Sequence, residues 1–404
     1  MPTSNAKSPV VSRQIAFFAA FILPIYKLVE MPSVLSRFAE GDLLLPAILQ
    51  YVLQAALLIA LLYAASVSEK PLLIRLQETF GKWTVVFYLV YAVFFLFTAA
   101  LPLLDAEKLV YAVFYDTAPT LFSFAAFFLF SAFVCVKGLK TLARSADLCL
   151  FLFVIPFLSL IVMSLFEADA TNLLPIFEHK FGRTASAIRY TTPYFLDVLM
   201  LLPLIGNLEY KKGDGVKISL GYALGAGFVF LFLGVFYSLY STIAPREHYA
   251  FTKIAQYFPA LSIIGRVDLL FVYMLCIVLF FSVSTPLFYS VELIANSLGT
   301  KRKTLISALV NGAAFIFTLF FNQYYNSIYA LFCEKLTVVF WIFAYLPPLL
   351  FLLYAWKGKP KTTKGEKNPS AQKQKSTTEK SKPTSKPMTN KTSKKREDFY
   401  ATGS

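Results

Sequence analysis

IAFFAAFILPIYKLVEMPSVLSRFA, residues Ile15–Ala39, is apolar and long enough to cross a bilayer, yet it carries two prolines and two charged residues near its middle. At 1.5 Å per residue, about 20 residues traverse the roughly 30 Å of hydrocarbon. Pro24 and Pro32 bracket Lys27 and Glu30. Proline removes a backbone donor and clashes with the preceding turn, so the segment is expected to break there. Backbone groups freed inside a membrane must find partners within the protein. A Lys or Glu facing lipid at mid-depth costs at least about 2.5 kcal/mol, so both side chains are expected to face the interior.

A second interruption of the same kind is YTTPYFLDVLMLLPLIGNLEY, Tyr190–Tyr210, where Pro193 and Pro203 bracket Asp197, with Gly206 and Asn207 just beyond. Hydropathy marks ten spans, at about 12–38, 43–66, 82–104, 119–136, 146–165, 190–209, 217–243, 268–292, 304–321 and 335–356. The two interrupted segments are therefore spans 1 and 6. Broken, ionisable-bearing helices five apart point to a five-plus-five inverted repeat whose first helices are discontinuous and line a central site. The fold expected is an all-α polytopic membrane protein of about ten transmembrane helices.

Composition agrees. Of 404 residues, 57% are hydrophobic and 15% charged, with mean hydropathy +0.62; soluble domains are about half apolar and about a quarter charged. Soluble enzyme, secreted disulfide scaffold and fibrous protein are excluded. The net charge of +15 is mostly local: Lys357–Ser404 holds fourteen Lys and Arg against four Asp and Glu. That Lys, Ser, Thr and Pro-rich tail has nothing apolar to bury and reads as disordered, so the charge is no nucleic-acid signal. The expected organisation is a cytoplasmic N-terminus at 1–11, a transmembrane domain at 12–356 and a disordered Lys-rich cytoplasmic tail at 357–404. The first apolar run has no small-residue cleavage site and reads as an uncleaved helix.

With both termini inside, the inner connections hold Lys70/Arg75, Lys137/Lys140/Arg144, Lys211/Lys212/Lys217 and Lys301/Arg302/Lys303, satisfying the positive-inside rule. Acids gather in the outer connections: Glu40, Asp42, Asp105, Glu107, Asp116, Glu167, Asp169 and Glu178. The outer stretch Glu247–Ile264 has apolar residues at helical spacing and is expected to lie along the interface. Cys135, Cys149, Cys276 and Cys333 stand singly and read as small core hydrophobes. No His, Cys and carboxylate residues share a metal-ligand spacing, and no P-loop, GxGxxG, GxSxG or HExxH is present. Neither a cofactor nor catalysis is expected, and any pumping is secondary, coupled to H⁺ or Na⁺.

Four residues are candidate ligand contacts: Lys27, Glu30, Asp197 and Tyr91. Lys27 and Glu30 are three apart and share a helical face, so they read either as ligand or proton partners or as a buried ion pair fixing span 1. Asp197 reads either as a site carboxylate or as a polar residue near the outer water cavity. Tyr91, with Tyr88, reads as a cap over a central pocket or as part of an interfacial belt. In FSVSTPLFYSVE, Ser284 and Thr285 precede Pro286 and are candidate Na⁺ ligands; alternatively they bond their own helix carbonyls around a kink.

Several strings carry a resemblance: KLVEMPSVLSRFAEGDLLLP (Lys27–Pro46), GLKTLARSADLCLFLFVIP (Gly138–Pro156), LLPIF (Leu173–Phe177) and FPALSIIGRVDLLFVYMLCIVLFFSVSTPLFYSVELIAN (Phe258–Asn296). With Arg266, Val267 and Asp268 opening span 8, they resemble the B subunits of spore germinant receptors over about residues 12–356. The resemblance implies the amino acid/polyamine/organocation transporter superfamily and its inverted-repeat fold. It also implies recognition of a small nutrient, typically an amino acid, in the inner membrane of a dormant spore, with a larger membrane A subunit and a lipoprotein C subunit as partners. The Lys-rich tail departs from that family pattern. Two functions are thus expected of the same architecture: a nutrient sensor that signals to partner subunits, or an H⁺- or Na⁺-coupled amino acid transporter.

Overall fold

The computed structural model describes residues 10–67, 71–114, 120–174, 181–257, 268–300, 302–321 and 324–357. The first nine residues and the basic tail beyond 357 lie outside them, as do Asp116, Glu178 and the whole 258–267 segment. Within the described residues the structure is helical, with one isolated bridge, Val10 to Leu208. Six segments, one of them unwound at 192–196, are long and apolar enough to cross a membrane, three bent pairs each make a further span, and a shorter apolar helix lies at Ala125–Lys137. Among the described residues ten membrane-scale helices result, each overlapping one of the expected spans.

They are α1a (Ser12–Lys27) and α1b (Met31–Asp42), α2 (Leu44–Val67), α3 (Trp83–Phe114), α4 (Thr120–Lys137) and α5 (Leu139–Glu167). The second half comprises α6a (Phe181–Thr191) and α6b (Asp197–Gly206), α7 (Asp214–Tyr240), α8 (Asp268–Leu298), α9 (Lys303–Phe321), and α10a (Tyr325–Lys335) with α10b (Thr337–Lys357). The irregularities recur at an interval of five. Helix 1 bends by 60° and helix 6 unwinds between its halves; α5 bends by 41° and helix 10 by 57°.

The break in helix 1 has two sequence causes. Ahead of it, Pro24 has no N–H to give the Ala20 carbonyl, and Phe18–Ile22 widens into a π-turn closed by Leu23 N–H on the Phe18 carbonyl. Behind it, Pro32 lies in the first turn of α1b, where a missing donor costs nothing. Leu28 and Val29 close the end with short turns onto Ile25 and Tyr26. The Val29 carbonyl accepts from the N–H of Ala250, at the start of the connecting helix Ala250–Tyr257. That helix begins the outer amphipathic stretch expected at Glu247–Ile264, and its Ala250, Phe251 and Ile254 are buried.

Helix 1 passes close to α7 because Gly221 and Gly225 present no side chains there. A Cβ on Gly221 would stand 2.5 Å from the Ala16 carbonyl oxygen, and one on Gly225 2.6 Å from that of Ala19. Small residues four apart let two membrane helices approach backbone to backbone. Around this pair, α8 packs against α3, α4 and α5, while α2 packs against α7, α6b and α10b. The broken helices are thereby enclosed, and their polar ends meet inside the protein.

Candidate functional site

The ends of the half-helices carry charge that suits their dipoles. Lys27 is in the last turn of α1a, where carbonyls point outward, and Asp197 opens α6b, where free N–H groups do. The two meet: Lys27 Nζ donates to Asp197 Oδ2 at 2.5 Å, with side chains 1% and 2% exposed. Tyr222 Oη also donates to Asp197 Oδ2 (2.8 Å), and Lys27 Nζ reaches Tyr51 Oη (3.3 Å). The ammonium lies 4.4 Å from the Tyr51 ring centre and 4.2 Å from that of Phe195. Aromatic faces are attractive to a desolvated cation.

The Lys27–Glu30 ion pair, one of the two readings of span 1, does not form. The 60° break turns Glu30 away from Lys27, and its Oε2 sits 3.1 Å from Nδ1 of His248, on the connection after α7. The Glu30 carboxylate raises the His248 pKa above its ordinary value, against partial burial, which lowers it.

The sequence reading did not single out the polar face of α2, which holds helix 6 open. Gln54 Nε2 donates to the Phe195 carbonyl (2.7 Å) and its Oε1 accepts from the Val198 N–H (3.2 Å), spanning the unwound turn. One turn earlier, Gln50 Nε2 donates to Thr191 Oγ1 at 2.8 Å. The signal was present: Gln50, Tyr51 and Gln54 fall on one face of an otherwise apolar helix.

Between the broken helices lies a cavity of about 50 Å³. Its walls come from α1a (Phe18, Ile22, Tyr26), α3 (Thr98, Pro102), helix 6 (Tyr194, Asp197, Met200), α8 (Phe281, Ser282, Thr285) and helix 10 (Phe332, Phe340). Of the candidate residues, Asp197 and Thr285 line it; Lys27 and Glu30 stand behind the wall. Thr285 Oγ1 donates to the Phe281 carbonyl (2.6 Å) and Ser282 Oγ to that of Val278 (3.0 Å), the ordinary pattern around Pro286, and α8 stays continuous there. Ser284 is fully buried, and its Oγ has no partner.

Tyr88 and Tyr91 line a different, larger cavity of about 470 Å³ at the end bearing Lys137, Lys140, Arg144 and Lys303. Tyr91 Oη donates to the Phe343 carbonyl (3.3 Å). Phe95 and Tyr289, both lining the larger cavity, pack edge to face at 5.2 Å, and Tyr289 Oη donates to the carbonyl of Met200, which lines the smaller one (2.8 Å). Among the described residues, no three His, Cys, Asp or Glu side chains converge as metal ligands do.

Residues 11–326 match the family model described as spore germination protein. The chain belongs to that family. No curated protein sequence matches it. Among solved structures, three mutants of the manganese transporter of Eremococcus coleocola superpose with a TM-score of 0.52. Identity is 10%, 10% and 11%, and each match covers 90% of this chain and 92% of that one. The chain thus shares the fold of these transporters at 10–11% identity. The fold is an all-helical integral membrane architecture of the inverted-repeat kind, with helices 1 and 6 discontinuous.

Proposed function

We propose that this chain is the membrane subunit of a spore germinant receptor that binds a small nutrient, an amino acid, between broken helices 1 and 6. It passes the resulting closure to a larger membrane A subunit and a lipoprotein C subunit. The observation that carries the reading is the cavity at the junction of the two breaks. One water needs about 10–15 Å³, so about 50 Å³ takes roughly three to five water-sized groups, the size class of the smallest amino acids. Family membership supports the germination role. The positive-inside rule supports a cytoplasmic side for both termini, in a bacterial cell membrane or the spore inner membrane.

The expected events follow from the geometry. Helix ends and the Lys27–Asp197 pair hold the breaks in a fixed relation, while Asp197 offers its carboxylate to the cavity. A ligand that competes for this carboxylate shifts α6b relative to α1a, and only a ligand with different affinity for the two arrangements moves the equilibrium. No bond is made or broken, so the protein works without catalysis. The second reading, an H⁺- or Na⁺-coupled amino acid transporter, is favoured by the contact of Tyr289, in the wall of the larger cavity, with Met200, in the wall of the smaller.

The test is germination of spores lacking this gene, scored by loss of refractility against single amino acids and sugars. Loss of one response, restored by the wild-type gene but not by Asp197→Asn at equal protein level, supports the receptor. An unchanged panel, together with gradient-driven uptake of a labelled amino acid in vesicles, supports the transporter.

A further inference from the structure

Asp105 is expected from its sequence position to lie in an outer connection, yet it is 1% exposed within α3. Its Oδ1 accepts from Tyr325 Oη (3.0 Å), while its Oδ2 is buried without a partner. Among the described residues it forms no ion pair. Glu30, 5% exposed in the break of helix 1, lies within electrostatic range of it. Tyr26, also in range of both carboxylates, and Tyr194 sit ring to ring at 5.9 Å and line the central cavity. Tyr194 is 3% exposed; its hydroxyl and that of Tyr329 beside it face each other, and neither has a partner at ordinary hydrogen-bond distance.

We propose that Glu30 and Asp105, with the hydroxyls of Tyr26, Tyr194 and Tyr325, form a site for a monovalent cation just behind the Tyr26–Tyr194 wall of the cavity, holding either the ammonium of an amino acid or a free alkali-metal ion. Two buried carboxylates whose one cationic partner among the described residues is His248, itself 66% exposed, are costly as they stand. Lys27 offers no relief, being committed to Asp197. An entering cation removes like-charge repulsion and supplies partners to the orphaned oxygens. An ammonium has three donors and no acceptor, which suits a surround of carboxylate and phenol oxygens. The ammonium form of the proposal rests on the nutrient-site reading of the cavity; the ion form does not.

The experiment uses the full chain in lipid nanodiscs, with thermal stability read for wild type, Asp105→Asn and Tyr194→Phe. The probes are NaCl and KCl against N-methylglucamine chloride, then each of the twenty amino acids, with propionate as the partner of alanine lacking the amine. The expected result is stabilisation of wild type by an alkali-metal ion or an amino acid, with the midpoint raised at least tenfold in Asp105→Asn and severalfold in Tyr194→Phe. Stabilisation by the ion alone assigns the site to the ion; stabilisation by alanine but not propionate assigns it to the ammonium. Midpoints unchanged in both variants overturn the site, as does a wild type that no cationic probe stabilises. If Asp105→Asn does not fold, Tyr194→Phe decides. Spores that respond normally to their nutrient with either variant leave the receptor reading intact and remove the site; ion binding without any nutrient response does the reverse.

Discussion

Replacing Lys27 by Met should destabilise the protein more than replacing Lys27 and Asp197 together. At 2.5 Å the two unit charges attract by about 6–7 kcal/mol at an effective dielectric of about 20. Burial at 1% and 2% exposure costs each several kcal/mol, so the pair as a whole is close to neutral. Removing one member leaves the other's penalty standing, about 3–5 kcal/mol. Lys27→Met leaves Asp197 with Tyr222 and the first turn of α6b as its only support. Adding Asp197→Asn removes the charge while keeping an acceptor for Tyr222, and should recover at least about 2 kcal/mol of the loss. The assay is a double-mutant cycle of unfolding free energies from titration with sodium dodecyl sulfate in mixed micelles. Single effects that add to within about 0.5 kcal/mol would refute the reasoning, since uncoupled sites behave that way.

Three further outcomes follow from the packing and the polar contacts. Gly225→Ala places a Cβ 2.6 Å from the Ala19 carbonyl oxygen and 2.7 Å from Pro24 Cγ, so it should cost about 1–3 kcal/mol by overpacking despite alanine's better helix propensity; a melting temperature at or above wild type would contradict this. Gln54→Leu orphans the Phe195 carbonyl and the Val198 N–H, at about 1–3 kcal/mol each, and should lower both melting temperature and nutrient response; normal behaviour in both measurements counts against a role in holding helix 6 open. His248 has its pKa raised in the fold by Glu30, so its stabilisation is present in full below about pH 6.5 and fades as pH rises through the folded value. Melting temperatures between about pH 5.5 and 8.5 should show that decline in wild type and lose it in His248→Gln; identical profiles would dismiss the contact.

The ten helices and the two breaks were legible because each depends on neighbours in the chain. A run of apolar residues fixes its own span, and Pro24, Pro32 and Pro193 each fix a local loss of donors wherever the helix goes. The interior placement of Lys27, Glu30 and Asp197 followed from solvation cost alone. Which partner each one takes was not legible. Lys27 and Asp197 are 170 positions apart and Glu30 and His248 218 apart, and no local rule ranks such partners above a residue three positions away.

Asp105 shows the same limit, since hydropathy ends the span beside it while the helix continues to Phe114. Gln50 and Gln54 were visible as a polar face, but only the unwound turn of helix 6 against them gave that face its task. The amino acid sequence alone determined the helices, their interruptions and the charges that must be hidden, because those are settled by the membrane acting on each segment separately. The pairing of the hidden charges and the cavity between the breaks were decided by the tertiary structure, because electrostatic partners and enclosed volume depend on distances through space that the order of residues does not contain.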